Sequence, residues 1–169
     1  MDDEDDDSPN LTRPPTDEDL ASLAAKLNEL GAKYIVIGGL AIIAAGYTRA
    51  TMDIDLLVDV SPENDAKVRE ALESLPEKAI LELSSGEIDN YVVVRVCDEF
   101  TVDLMAKACG MTYDDAKEMI VYREHLGVLI PFASPKLLWK TKQTYREKDA
   151  VDKSFLRKLL EDLGEWPVK

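Results

Sequence analysis

The chain has 169 residues, 46% of them hydrophobic, which is enough for one packed domain and excludes wholesale disorder. A net charge of −14 argues against tight, nonspecific binding to DNA, which needs Lys and Arg against phosphates, and leaves room for a local basic pocket. Nine acids and one base, Arg13, fall in residues 1–20, so −8 of that −14 sits there and only −6 on the rest.

Residues 1–15 read as a disordered acidic tail, because a block of like charges repels itself and stays solvated. The sharper alternative is an intramolecular mask over a basic site. Thr16 then caps a helix whose apolar positions, Leu20, Leu23, Ala24, Leu27 and Leu30, follow helical spacing up to Gly31. "KYIVIGG" reads as a buried strand ending in glycines, and "LAIIAAG" as a short helix between Gly39 and Gly46. "MDIDLLVDV" is a second strand, with Met52, Ile54 and Leu56 expected in the core. Ser61 and Pro62 open the next helix. Beyond Pro76, "AILELS" and "YVVVRVCDEFTVDLM" read as strands, the latter a hairpin turning at Asp98 and Glu99. A short helix at "TYDDAKEM" and brief strands around "IVYREHLGVLIPF" follow. Ser134 and Pro135 open a long helix expected to run to about Arg146, and a last helix covers roughly Asp149 to Leu163. The fold class is therefore α+β: a small mixed sheet flanked by helices. Its core spans residues 16–130, and a helical segment, 131–169, packs on it.

Two cysteines, Cys97 and Cys109, without a CxxC, fit a reducing compartment, so the expected location is the cytoplasm. No leader is visible, and no apolar run reaches the ~18 residues a membrane span needs. One histidine, His125, argues against histidine-built zinc sites and a Ser-His-Asp triad.

Chemistry concentrates in "VIGGLAIIAAGYTRATMDIDLLVDV". Residues two apart on a strand share a face, so Asp53 and Asp55 point the same way. Two carboxylates side by side repel, and a divalent cation with hard oxygen preference, Mg²⁺, resolves that repulsion. Asp103 in "FTVDLMA" repeats the pattern of acid out and aliphatics in. If its strand lies beside the first, three carboxylates converge, a donor set able to hold two metal ions that clamp a phosphoryl displacement. Gly38 and Gly39, between strand and helix, let bare backbone approach an anion. Arg49 lies close enough to pair with an acid or touch phosphate. Tyr47 is a weak candidate for base stacking, whereas Trp139, Phe155 and Trp166 fit core packing.

Gly38, Gly39, Arg49, Thr51, Asp53, Asp55 and Leu56, with Asp103 downstream, resemble the signature of the nucleotidyltransferase superfamily with the DNA polymerase beta-like fold. Within it, the match is to the AbiEii toxin-like and minimal nucleotidyltransferase group. "KTKQTYREKDAVDKSFL" resembles a helical segment of that group through Lys142, Arg146, Asp149 and Asp152, with Lys140 competing for the place of Lys142. On one continuous helix, 142, 146 and 149 would share a face.

The resemblance implies transfer of a nucleoside monophosphate from an NTP to an acceptor hydroxyl, on tRNA or protein, in a toxin–antitoxin or phage-defence pair with a cognate antitoxin. It implies Asp53, Asp55 and Asp103 as catalytic metal ligands for two Mg²⁺ ions. Gly38, Gly39, Arg49, Thr51, Lys142 and Arg146 would bind the nucleotide. The alternative is a non-catalytic nucleotide-binding or protein-interaction module on the same scaffold.

Overall fold

A computed structural model describes residues 12–169, so most of the acidic tail, residues 1–11, lies outside the described residues. Thr16 caps helix α1 (Asp17–Glu29) with a reciprocal box: its hydroxyl accepts from Asp19 N, and the Asp19 carboxylate accepts from Thr16 N. Strand β1 (Tyr34–Ile37) is buried throughout and runs directly into helix α2 (Gly38–Ala44). Strand β2 (Asp53–Val58) is followed by helix α3 (Pro62–Leu72), capped by Ser61. Strands β3 (Val94–Cys97) and β4 (Thr101–Met105) form the expected hairpin, and a two-stranded pair, β5 (Lys107–Ala108) and β6 (Met111–Thr112), extends from it. Helix α4 (Tyr113–Ala116), strands β7 (Ile120–His125) and β8 (Val128–Ala133), and helices α5 (Pro135–Thr141) and α6 (Glu147–Asp162) complete the chain.

Six strands make one mixed sheet in the order β3-β4-β2-β1-β8-β7. β2 runs antiparallel to β1 and parallel to β4, and the register sets Asp55 opposite Asp103. Ile54, Leu56, Val102 and Leu104, on the opposite face from the acids, are fully buried, as are Leu23 and Leu27 of α1. Burying each such side chain stabilises by about 1.5–3 kcal/mol, which anchors the strands that carry the carboxylates. Among the described residues no helix is long and apolar enough to cross a membrane.

Three sequence expectations are corrected. "AILELS" is not a strand: Ala79–Glu82 forms a 3-10 turn, because the buried Asp98 carboxylate accepts from Glu77 N and Ala79 N, both at 2.9 Å, and curls the segment. Met52 does not enter the core but is 57% exposed, since the strand starts only at Asp53. The helix opened by Ser134 stops at Thr141 rather than near Arg146.

Candidate functional site

The break after α5 organises the helical wall of the site. Lys142 closes α5, and Arg146 precedes the first residue of α6, so 142, 146 and 149 do not share one helix face. Seven residues of continuous helix would separate Lys142 from Asp149 by about 10 Å along the axis. The intervening turn instead lets the buried Lys142 Nζ reach Asp149 Oδ1 at 3.2 Å and Asp152 Oδ2 at 2.9 Å. Both aspartates are fully buried. Asp149 also accepts from the Thr144 hydroxyl and, at 2.8 Å, from Arg146 Nε. Burial works to raise its pKa, but these donors and the Lys142 charge outweigh it and hold the group below the usual carboxylate range. Asp152 accepts from Arg49 Nη2 at 3.0 Å. Arg49 is thereby assigned an acid partner on α6, not Asp53 or Asp55.

On the strand wall, carboxylate oxygens of Asp53, Asp55 and Asp103 lie within 4.8 Å of one another. Burial, then the charges of Asp53 and Asp103, push the Asp55 carboxyl up to about 7, with Lys142 opposing. Asp53 is also raised, by burial and by Asp103, with Arg95 and Lys148 opposing. Three crowded, partly desolvated carboxylates are a hard-oxygen donor set that can hold a metal ion, and their mutual repulsion is what such a cation would relieve.

Gly38 sits against this cluster with φ +70°. A Cβ there would lie 2.0 Å from Asp55 Oδ2, so the close approach of backbone to carboxylate requires glycine. At Gly39 a Cβ would meet Thr51 Oγ1 at 2.6 Å. Thr51 in turn donates to the Asp53 carbonyl at 3.3 Å, tying the loop before β2 to the cradle.

These groups line one cavity of about 510 Å³, a size suited to a nucleotide-scale ligand. Gly38, Gly39, Arg49, Thr51, Asp53, Asp55, Asp103, Lys142 and Arg146, the nine sequence candidates, all border it. Lys140, the competitor of Lys142, is not among the lining residues. Tyr47 stacks on Phe155 at 5.0 Å and Trp139 packs edge-on to Trp166 at 4.9 Å, so both aromatic pairs serve packing.

Arg95 is the residue that sequence reasoning missed. Its Nε donates to Asp103 Oδ1 at 2.9 Å, and its Nη2 donates to Asp103 Oδ2 at 2.9 Å and Asp53 Oδ2 at 3.1 Å. The signal was a lone arginine between Val94 and Val96, both buried, on a strand pairing with β4. Lys107 and Lys148 border the cavity as well.

The fold is that of nucleotidyltransferases. The structure matches the lincosamide antibiotic adenylyltransferase LnuA, solved with lincomycin bound, at a TM-score of 0.55 and 16% identity, over 85% of this chain and 98% of that one. It matches an antigenic nucleotidyltransferase-like protein from Paracoccidioides brasiliensis at a TM-score of 0.54 and 18% identity, over 85% and 76% of the respective chains. No family model and no curated protein matches the sequence.

Proposed function

We propose that the chain is a metal-dependent nucleotidyltransferase that moves a nucleoside monophosphate from an NTP to an acceptor hydroxyl. The observation that carries this reading is the convergence of Asp53, Asp55 and Asp103 within 4.8 Å, on the cavity that Gly38 and Gly39 also border. Asp53 and Asp55 would hold two Mg²⁺ ions and Asp103 one of them; bound there, the metal supplies charge neutralisation at the phosphates and acidifies the acceptor hydroxyl.

The chain's own groups do the positioning. Gly38 and Gly39 bring bare backbone to the triphosphate. Lys142 and Arg146 face it from the helical wall and Arg49 from the loop before β2, their heads fixed by Asp149 and Asp152. Thr51 holds the loop between these two walls. Asp103 accepts the acceptor's proton as a new phosphorus–oxygen bond forms and the bond to the departing pyrophosphate breaks. Most of the acceleration then comes from placement and preorganised charge.

The acceptor in this reading is tRNA or a protein hydroxyl, and the AbiEii-like sequence features support a cytoplasmic toxin with a cognate antitoxin. The fold neighbour LnuA is an adenylyltransferase of a lincosamide antibiotic, which adds a small molecule to the acceptor classes worth testing.

The test incubates the protein with Mg²⁺ and each α-labelled NTP, with tRNA, cell protein or small hydroxyl compounds. Label transfer that is lost in both Asp53→Asn and Asp55→Asn supports the enzyme. Nucleotide and metal binding without transfer to any acceptor supports the non-catalytic module instead.

A further inference from the structure

We propose that the acceptor is a compact hydroxyl compound with an apolar body, seated on a floor of Val92, Val93, Met105 and Ala108 beside Asp103. The proposal rests on the nucleotidyltransferase reading and narrows its acceptor class. Three observations carry it.

The first is the register. Ile37 pairs with Asp55, Asp55 with Asp103, and Asp103 with Arg95, so one row crosses four strands from β1 to β3. Gly38 follows Ile37 at one end of that row. Arg95 stands at the other end, three strand spacings or about 14 Å away, and the acids lie between. With the triphosphate at the glycine end, an oxygen attacking in line comes from the β3 end, past Asp103.

The second is what that end is made of. Val93 and Met105 each lie two residues from the paired Arg95 and Asp103, so they share the acid-bearing face about 7 Å along it. Both line the cavity, with Val92, Ala108 and Met52. Val92 is 87% exposed and Val93 44%. Single exposed aliphatics are ordinary, but these adjoin one another inside a cavity, and covering them with an apolar body releases water. The Cys109 thiol donates to the Thr141 carbonyl at 3.3 Å, so the β5–β6 turn meets the end of α5. Both residues line the cavity, and their contact walls it on this side, which suits a compact body rather than a continuous chain.

The third is charge. Lys142, Arg146 and Arg49 are tied to Asp149 and Asp152 of α6. The cations beside the floor are Arg95 and Lys107, and Arg95 is held by Asp53 and Asp103. Upstream of Val92 the chain leads back into the turn Glu87–Asn90, which carries Glu87 and Asp89. Phosphates of a polynucleotide lying along this edge would meet carboxylates, on a protein of charge −14, where such binding needs Lys and Arg.

With Arg95 swung off it, the Asp103 carboxylate takes the hydroxyl proton and the acceptor oxygen bonds to the α-phosphorus. The bond from that phosphorus to the α–β bridging oxygen breaks, and its electron pair leaves with pyrophosphate. The product is the nucleoside monophosphate ester of the acceptor.

The test titrates linear primary alcohols, butanol to octanol, into methyl-labelled protein followed by NMR. The floor predicts shifts at the Val92, Val93 and Met105 methyls and affinity rising about threefold to fourfold per added methylene. Val92→Ser with Val93→Ser should flatten that dependence, while Val93→Leu, which keeps the surface apolar, preserves it if the serine variant fails to fold. In parallel, α-labelled NTPs and Mg²⁺ are offered with the alcohols, total tRNA and casein. Label reaching octanol more efficiently than butanol supports the proposal. A flat dependence on chain length, or shifts away from these methyls, overturns it. So does label reaching tRNA or casein with an efficiency that the serine variant leaves untouched. Graded alcohol binding with no NTP bound overturns the nucleotidyltransferase reading, and the acceptor role with it. NTP binding with a flat alcohol series overturns the acceptor class alone.

Discussion

Replacing Gly38 with alanine tests the fit between the glycine cradle and the carboxylates. The residue holds φ +70°, which costs an L side chain roughly 1–2 kcal/mol. Its new Cβ would also meet Asp55 Oδ2 at 2.0 Å, Cγ at 2.7 Å and Cβ at 2.9 Å. Asp55 is largely enclosed and cannot swing away freely, so pushing it off its rotamer adds about 0.5–1.5 kcal/mol. The sum is about 1.5–3.5 kcal/mol, a fall in melting temperature of roughly 3–14 °C for a chain of this size. Gly31 supplies the control: its φ is +72°, but the nearest atom to its Cβ would be Lys67 Nζ at 3.8 Å. Gly31→Ala therefore carries the backbone strain without the collision. Urea and thermal unfolding of both variants, each with and without Mg²⁺, separate the two contributions. Gly38→Ala should lose more stability than Gly31→Ala and lose its Mg²⁺-induced thermal shift, while Gly31→Ala keeps that shift. Equal losses with the Mg²⁺ response intact in both would refute the packing of cradle against carboxylate.

Asp55 should make metal-free stability depend on pH. Its folded pKa, near 7, lies above the unfolded value near 4, so the folded state binds the proton more tightly and stability falls as pH rises from about 4 to 7. The loss is on the order of a few kcal/mol. Asp55→Asn should flatten the profile in chemical denaturation, and an unchanged slope would contradict the assignment. For the same reason Mg²⁺, which must displace that proton, should bind more weakly at pH 6 than at pH 8 when followed by calorimetry. Lys142→Met should destabilise by roughly 3 kcal/mol, since it strips a buried cation from Asp149 and Asp152 while Arg146 and Arg49 remain. A cost below about 1 kcal/mol in urea unfolding would show that those two arginines suffice. Arg95→Ala should strengthen Mg²⁺ binding in the same calorimetric titration, because the guanidinium and the metal seek the same two carboxylates, Asp53 and Asp103.

The strand half of the site was legible in the sequence because its code is local. An acid two residues from another on an apolar strand fixes a shared face, and "FTVDLMA" repeats that pattern. Only the pairing of β2 with β4 had to be supplied by the fold. The helical half was legible in its residues but not in its geometry. Nothing in "LLWKTKQTYREKD" announces that Thr144 accepts from Arg146 N at 3.2 Å and bonds Asp149, ending one helix and seeding another. Propensity favours one long helix there, whereas two buried aspartates needing a common lysine favour the break. "AILELS" failed for a similar reason: the group that curls it, Asp98, lies 19 residues beyond Ala79. Arg95 was hidden because a lone arginine on a strand reads as a solvent-facing residue until its neighbour across the hairpin is known to be Asp103.

A crystal structure grown with Mn²⁺ and a non-hydrolysable NTP, read by anomalous scattering, tests the metal-centred account most directly. The account predicts manganese signal among Asp53, Asp55 and Asp103, phosphates against Gly38 and Gly39, and the Arg95 guanidinium displaced from Asp103. Manganese absent from the three carboxylates, with Arg95 still bridging Asp53 and Asp103, would contradict it.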